Sequence, residues 1–193
     1  MVIIPDYIEK HYEIIDGRKK LLSRQNVEHG LIKTNLTFIF VGHCRKINRG
    51  KALVGLYVYL PDNKNVFIPD FSVFLDESLF KPNQKVCGVP DLVVEILSPS
   101  TLNNDFGIKK DTYEKNGVKE YWIVNPVDKS IQVYHLIDGK FNLDDVYHVY
   151  SDQELSMLED DERDTINYKI KVSIFDDLIV DVSDVFYDIP LVT

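Results

Sequence analysis

The sequence predicts an α/β fold in the α+β sense, a mixed β-sheet with helices packed on it, built as one domain over residues 1–193. Three observations predict it. Eleven Tyr and ten Phe stand among 45% hydrophobic residues, a composition that suits pleated strands and one sizeable core. A strand pattern, a helix pattern and a second strand pattern follow one another at residues 89–97, 104–116 and 120–124, the order of a parallel crossover unit. Hairpin patterns stand before and after that unit, so the remaining strands pair antiparallel and the sheet is mixed.

The elements follow in order. Residues 12–22 read as a hairpin, because Asp16-Gly17 is a two-residue turn between Glu13-Ile14-Ile15 and Leu21-Leu22. Residues 26–41 read as a helix capped by Asn26 or Ser23, with Leu31, Ile32, Asn35, Phe38 and Ile39 on one face. Glu28 falls within that arc. Residues 53–60 and 66–75 read as two strands joined by the turn Pro61-Asp62-Asn63-Lys64-Asn65. The second carries apolar residues on both faces, as an interior strand does, and Pro69 marks a bulge or an end of pairing. Residues 89–97 form a further buried strand, ended by Ser98-Pro99-Ser100-Thr101. The helix after it closes on Gly117 as a C′ glycine. Strands at 120–124, 131–136 and 141–150 follow, the last two joined at Asp138-Gly139. The acidic run 159–164 reads as a solvated loop, and 172–186 as the last ordered stretch.

Bulk properties narrow the function classes. A formal net charge of −9 argues against a protein that coats nucleic acid with a broad basic face, though not against local grip. Arg18, Lys19, Lys20 and Arg24 form one basic cluster and Arg45, Lys46, Arg49 and Lys51 another; each is either a solvated surface or a DNA contact. Cys44 and Cys87 are too few for a disulfide scaffold, and no second pair suggests zinc. MVIIPDYIEK lacks the plan of a signal peptide, and no apolar run nears the roughly 20 residues of a membrane span. The expectation is a cytoplasmic protein with no membrane partner.

Two acids stand where acids are costly. Glu95 interrupts the apolar run Leu92-Val93-Val94-Glu95-Ile96-Leu97, and a buried unpaired carboxylate must find a partner, bind a metal or take up a proton. Asp70 lies inside a second apolar run, beside Pro69. On neighbouring strands the two would make an oxygen site suited to Mg²⁺ or Mn²⁺. The alternatives are a structural ion pair for Glu95 and a turn aspartate for Asp70. Asp91 shares a strand face with Glu95 but reads as a turn or capping residue first. Asp105, Lys109 and Tyr113 stand at i, i+4 and i+8 on one helix side; Lys109 either joins an exposed ladder or points back at the carboxylates. Lys110 reads as solvent-facing. Glu28 is a third acid or a first-turn dipole residue. No histidine pair has metal-ligand spacing, and no phosphate-binding glycine loop, G-x-S-x-G elbow or CxxC pair occurs.

Together Phe67-Ile68-Pro69-Asp70, Val89-Pro90-Asp91-Leu92-Val93-Val94-Glu95-Ile96-Leu97-Ser98-Pro99-Ser100-Thr101, the Asp105, Lys109 and Tyr113 triplet, and Gly117-Val118-Lys119-Glu120-Tyr121-Trp122-Ile123-Val124-Asn125-Pro126 resemble the Uma family of endonucleases. That family belongs to the PD-(D/E)xK, restriction-endonuclease-like superfamily. Tyr12-Glu13-Ile14-Ile15-Asp16-Gly17 and Leu178-Ile179-Val180-Asp181-Val182 resemble the family's ends. The resemblance implies a restriction-endonuclease-like core with flanking helices and extra terminal strands. It implies a Mg²⁺ or Mn²⁺ site with Asp70 as the aspartate, Glu95 as the acid of the (D/E)xK element and Glu28 as the acid of the first helix. The superfamily's lysine usually follows the acid by two residues, where this chain has Leu97; Lys109 matches members whose lysine has moved to the next helix. The function so implied is metal-dependent hydrolysis of DNA phosphodiesters by a homodimer, with Asp70, Glu95 and Lys109 catalytic. The alternative is a catalytically inactive nuclease fold serving as a nucleic-acid-binding or protein-interaction module.

Overall fold

The computed structural model describes residues 12–22, 25–80 and 86–189; Ser23 and Arg24 lie outside them. The chain opens on the expected hairpin of β1 (Tyr12–Ile15) and β2 (Arg18–Leu21). Asp16 and Gly17 both take positive φ, 48° and 76°, as a type I′ turn requires. Helix α1 (Val27–Ile47) is capped by the Asn26 side chain, which accepts from the His29 N–H.

Then come β3 (Lys51–Val54), β4 (Val58–Tyr59), β5 (Val66–Phe67), β6 (Phe71–Phe74), β7 (Val86–Cys87) and β8 (Leu92–Ile96). Helices α2 (Leu102–Phe106) and α3 (Ile108–Asn116) lead to β9 (Glu120–Asn125), β10 (Ser130–Ile137) and β11 (Lys140–His148). The chain continues through α4 (Asp152–Met157), α5 (Asp160–Asp164), β12 (Lys169–Lys171), β13 (Ile179–Asp181) and α6 (Val182–Val185).

The central sheet has six strands in the order β11-β10-β9-β8-β6-β3. Strands β8 and β9 run parallel, joined by α2 and α3, and the other pairs are antiparallel. This is the mixed sheet around a crossover that the sequence predicts. A second sheet has the order β2-β1-β5-β4-β7, and β12 pairs with β13 alone.

Alternation along the strands builds two cores. Phe71, Val73, Leu92, Val94, Ile96, Trp122 and Val124 face α1 and the C-terminal elements, where Phe40 meets Phe71 at 5.2 Å and Trp122 at 5.7 Å. Phe74, Val93, Leu97, Tyr121 and Ile123 face the other way, with Tyr113 of α3 and with Phe67 and Val58 of the small sheet. Glu95 lies on this second face by the same alternation.

Four expectations are corrected. Residues 53–60 are not one strand: Gly55, at φ 60°, breaks them into β3 of the central sheet and β4 of the small one. Residues 66–75 likewise divide at Pro69, which has no N–H to pair, into β5 and β6 of different sheets. The helix at 104–116 starts at Leu102 and is interrupted at Gly107. The acidic run 159–164 holds the short exposed helix α5 rather than a loop.

The inward face of α1 is also rotated from the expected one. Ile32, Leu36, Phe40 and Cys44 are buried there, with His29, Lys33 and His43 interleaved, while Phe38 is 84% exposed. Leu36→Ala is therefore expected to cost about 2–5 kcal/mol in chemical denaturation, the range for a truncated core leucine. Phe38→Ala is expected to cost less than about 0.5 kcal/mol, as surface changes do.

Candidate active site

The ammonium of Lys109 is surrounded by acids. It lies 2.6 Å from Glu95 Oε1, 3.0 Å from Glu13 Oε1 and 3.6 Å from Asp105 Oδ1. All four side chains are only 2–3% exposed. Each comes from a different place: Glu13 from β1 of the small sheet, Glu95 from the middle of the central sheet, Asp105 and Lys109 from the two halves of the crossover helix. The Asp105, Lys109, Tyr113 side survives the break at Gly107. Tyr113 donates its hydroxyl to Glu95 Oε1 at 2.8 Å, and Ile68 N–H donates to Glu13 Oε1 at 2.8 Å.

Asp70 stands immediately before β6, whose Phe71 pairs with Val94 of β8. Its Oδ2 accepts from the Ile96 N–H at 2.9 Å. Its Oδ1 pairs with Lys33 Nζ at 2.9 Å and accepts from Gln25 Nε2 at 2.9 Å. Lys33 also donates to Gln25 Oε1 at 2.7 Å, so Lys33, Gln25 and Asp70 form a closed ring. One turn earlier on α1, the His29 ring lies between Asn26 Oδ1 at 2.8 Å and the Ile96 carbonyl at 3.0 Å. The first turns of α1 are thus fastened to the residue that follows Glu95.

The structure therefore brings Asp70, Glu95 and Lys109 to one region, with Lys109 directly on Glu95 but Lys33 on Asp70. Glu28 is half-buried in the first turn of α1 and forms no ion pair or side-chain hydrogen bond with any described residue. Asp91 is structural: Oδ2 accepts from Leu75 N–H at 2.7 Å and Oδ1 pairs with Lys119 at 2.7 Å. Lys110 is not simply solvated, since its ammonium sits 3.6 Å from the Tyr134 ring centroid. Sequence reasoning missed Glu13, Lys33, Gln25 and His29 as members. Glu13 carried a signal, because it shares a strand face with Ile15 in an otherwise apolar β1.

Three acids around one ammonium leave an excess of negative charge. Burial pushes the Glu95 carboxyl well above the usual carboxylate range; Lys109 opposes this, while Asp105, Asp70 and Glu13 add to it. Burial also raises Asp105, against the pull of Lys109. Asp105 is buried with Lys109 as its ion-pair partner among the described residues, and the Thr101 side chain also favours its charged form. Burial alone would lower Lys109, but Glu95, Glu13 and Asp105 outweigh it and hold the ammonium charged above the usual lysine range.

The donors are hard oxygens, the class that suits Mg²⁺ and Mn²⁺. Among the described residues no three His, Cys, Asp or Glu side chains converge as a ready-made cage. A divalent cation here would draw on Asp70, Glu95 and water, which fits the habit of Mg²⁺ of keeping several waters beside one or two carboxylates. The three buried acids around the one ammonium of Lys109 agree with a site short of positive charge.

A family model, Uma2, described as "Putative restriction endonuclease", matches residues 3–164. A Synechocystis sp. protein named "Uncharacterized protein slr1290" is 32% identical over 134 residues, covering 67% of this chain and 68% of that one. The fold resembles a crystal structure from Anabaena variabilis ATCC 29413 described as "a putative nuclease belonging to DUF820". The TM-score is 0.64 at 18% identity, over 95% of this chain and 93% of the other.

Two outcomes follow from the cluster. Lys109→Met strands buried carboxylates and is expected to cost about 3–5 kcal/mol in denaturant unfolding. Glu95 is raised in the folded state, so it stabilises the fold fully below its ordinary value and progressively less as pH climbs towards the raised one. Glu95→Gln removes that slope while Lys109 keeps Glu13 and Asp105. Its melting temperature, relative to that of the unsubstituted protein, is expected to rise as the pH climbs above the ordinary carboxylate range. A difference that falls as the pH climbs would show Glu95 to be held ionised.

Proposed function

Because this chain belongs to the Uma2 family, we propose that it is a metal-dependent endonuclease that hydrolyses DNA phosphodiester bonds. The observation that supports this most is the pairing of β6 with β8, which sets Asp70 against the backbone of Glu95-Ile96 and leaves both carboxylates facing lysines. In this reading Asp70 and Glu95 hold Mg²⁺ or Mn²⁺. Once bound, the cation supplies Lewis acidity and charge neutralisation at the phosphate.

The chain's own residues do the positioning. Ile96 N–H fixes one oxygen of Asp70, and Tyr113 fixes one oxygen of Glu95, so each acid presents a defined second edge. Lys109 is the catalytic lysine of this reading. It keeps Glu95 ionisable in a buried setting and offsets negative charge that develops at the phosphate. Glu28 stands as a third acid, on the turn next to His29. A groove lined by Ile15, Asp16, Arg18, Lys19, Lys20 and Asn104 runs beside the crossover, and its three basic side chains, against one acid, suit the backbone of DNA. Cutting both strands of a duplex calls for two such sites, so the active unit is a homodimer.

Supercoiled plasmid incubated with Mg²⁺ or Mn²⁺ is expected to be nicked. Asp70→Asn and Glu95→Gln are expected to lower the rate about a hundredfold or more, the scale of losing a group that stabilises charge at the reacting centre. Glu28→Gln is expected to weaken cleavage without abolishing it. Wild-type rates in Asp70→Asn and Glu95→Gln would overturn the reading and favour a binding module that keeps its acids for folding.

A further inference from the structure

We infer that Lys33 holds the place of a cation on Asp70, yields it when a divalent cation binds, and carries its ammonium to the substrate phosphate. This rests on the two-carboxylate metal site proposed above. Asp70 Oδ1 already takes Lys33 Nζ and Gln25 Nε2, both at 2.9 Å, which uses both of its lone-pair directions. A unit charge at that distance also opposes the approach of a second cation. A metal ion can use this oxygen fully only after Lys33 withdraws.

Lys33 is the ammonium that can leave. Lys109 is held by three acids and its side chain is 3% exposed. Among the described residues Lys33 has one acid and one amide as partners, and it and Asp70 are 11% and 13% exposed at their side chains. Solvent, and with it a phosphate, reaches this pair more readily than the Lys109 cluster. The base of Lys33 stays fixed, because His29 one turn away is bonded to the Ile96 carbonyl. A flexible four-carbon stem on an anchored helix lets the charge swing over a short arc, and a lysine ammonium is a compact partner for a phosphate oxygen. Lys33 is thus a catalytic residue of the proposed reaction, distinct from Lys109, which stays where it is.

Mn²⁺ titration of the full chain by calorimetry tests this independently of turnover. Lys33→Met is expected to bind Mn²⁺ about tenfold more tightly than the unsubstituted chain. It is also expected to cleave plasmid about a hundredfold more slowly at saturating Mn²⁺, because the phosphate has lost its cation. Gln25→Ala, which keeps the ammonium but frees one direction of Asp70 Oδ1, is expected to tighten Mn²⁺ binding by a smaller factor and serves if Lys33→Met does not fold. Unchanged or weaker Mn²⁺ affinity in both variants, with Asp70→Asn abolishing binding, would overturn this inference and leave the metal site standing. Tighter binding in Lys33→Met with undiminished cleavage would overturn the transfer to phosphate. Absence of Mn²⁺ binding in every form, Lys33→Met included, would remove the metal site and this inference together.

Discussion

The ion cluster on Lys109 is the constraint from which the rest of the arrangement follows. One ammonium touches acids from β1, β8 and α2, and so ties the small sheet, the central sheet and the crossover helix at a single point. Such a knot is costly to assemble. Desolvating several charges can exceed their mutual attraction, and three acids on one lysine leave one or more of them short of a counter-charge. The fold accepts this cost inside an otherwise apolar face, where Phe67, Tyr113 and Tyr121 enclose the cluster and Tyr113 meets Tyr121 at 5.4 Å. The apolar enclosure keeps water out and makes each charge felt more strongly by its neighbours.

Backbone irregularity places the other acid. A continuous strand through residues 66–75 would pair its N–H and C=O groups along its length. Pro69 cannot, and at that point the chain leaves the small sheet for the central one. The Pro69 carbonyl receives the Gly55 N–H at 3.3 Å, and Gly55 is where the neighbouring segment makes the same change of sheet. Asp70 is the first residue after this joint. Its carboxylate can therefore turn to the free Ile96 N–H at the end of β8 instead of lying within a ladder. At this joint Asp70 meets Lys33 of α1.

Much of this was legible in the sequence, and the rest was not for identifiable reasons. The crossover, the type I′ hairpin, the Asn26 cap and the Gly117 stop each depend on a few adjacent residues, and local chemistry decided them. Asp70 and Glu95 stood out because they interrupt apolar runs. The Lys109 side of the helix was readable from spacing, even across Gly107, because the interruption did not turn the side chain away from Glu95. The inward face of α1 was not readable. Its stripe mixes Ile32, Leu36 and Phe40 with His29, Lys33 and His43, while Phe38 lies outside, so apolar spacing points to a face that overlaps the buried one but is rotated from it. The polar residues that disturb the pattern include the two that meet Asp70 and Ile96. Glu13 was marked by its place among apolar residues, but its partners, like those of Gln25, come from pairings between segments far apart in the chain, which no local pattern encodes.

The charge balance links stability to function. Among the described residues, four acids, Glu13, Asp70, Glu95 and Asp105, are answered by two lysines, Lys33 and Lys109. A fold selected for stability alone would replace the surplus acids with neutral residues, since burial raises both Glu95 and Asp105. The surplus is instead kept at the place where two sheets and two helices meet, and of its described side chains Asp70 and Lys33 are more exposed than the Lys109 cluster. A site with this imbalance gains from taking up positive charge, and the gain is largest where an acid is exposed enough to be reached. The sealed Lys109 cluster sets the negative potential, and the more open Lys33–Asp70 pair is the part of the site able to respond to it. The division of labour between the two lysines thus comes from burial, not from chemistry that distinguishes one lysine from the other.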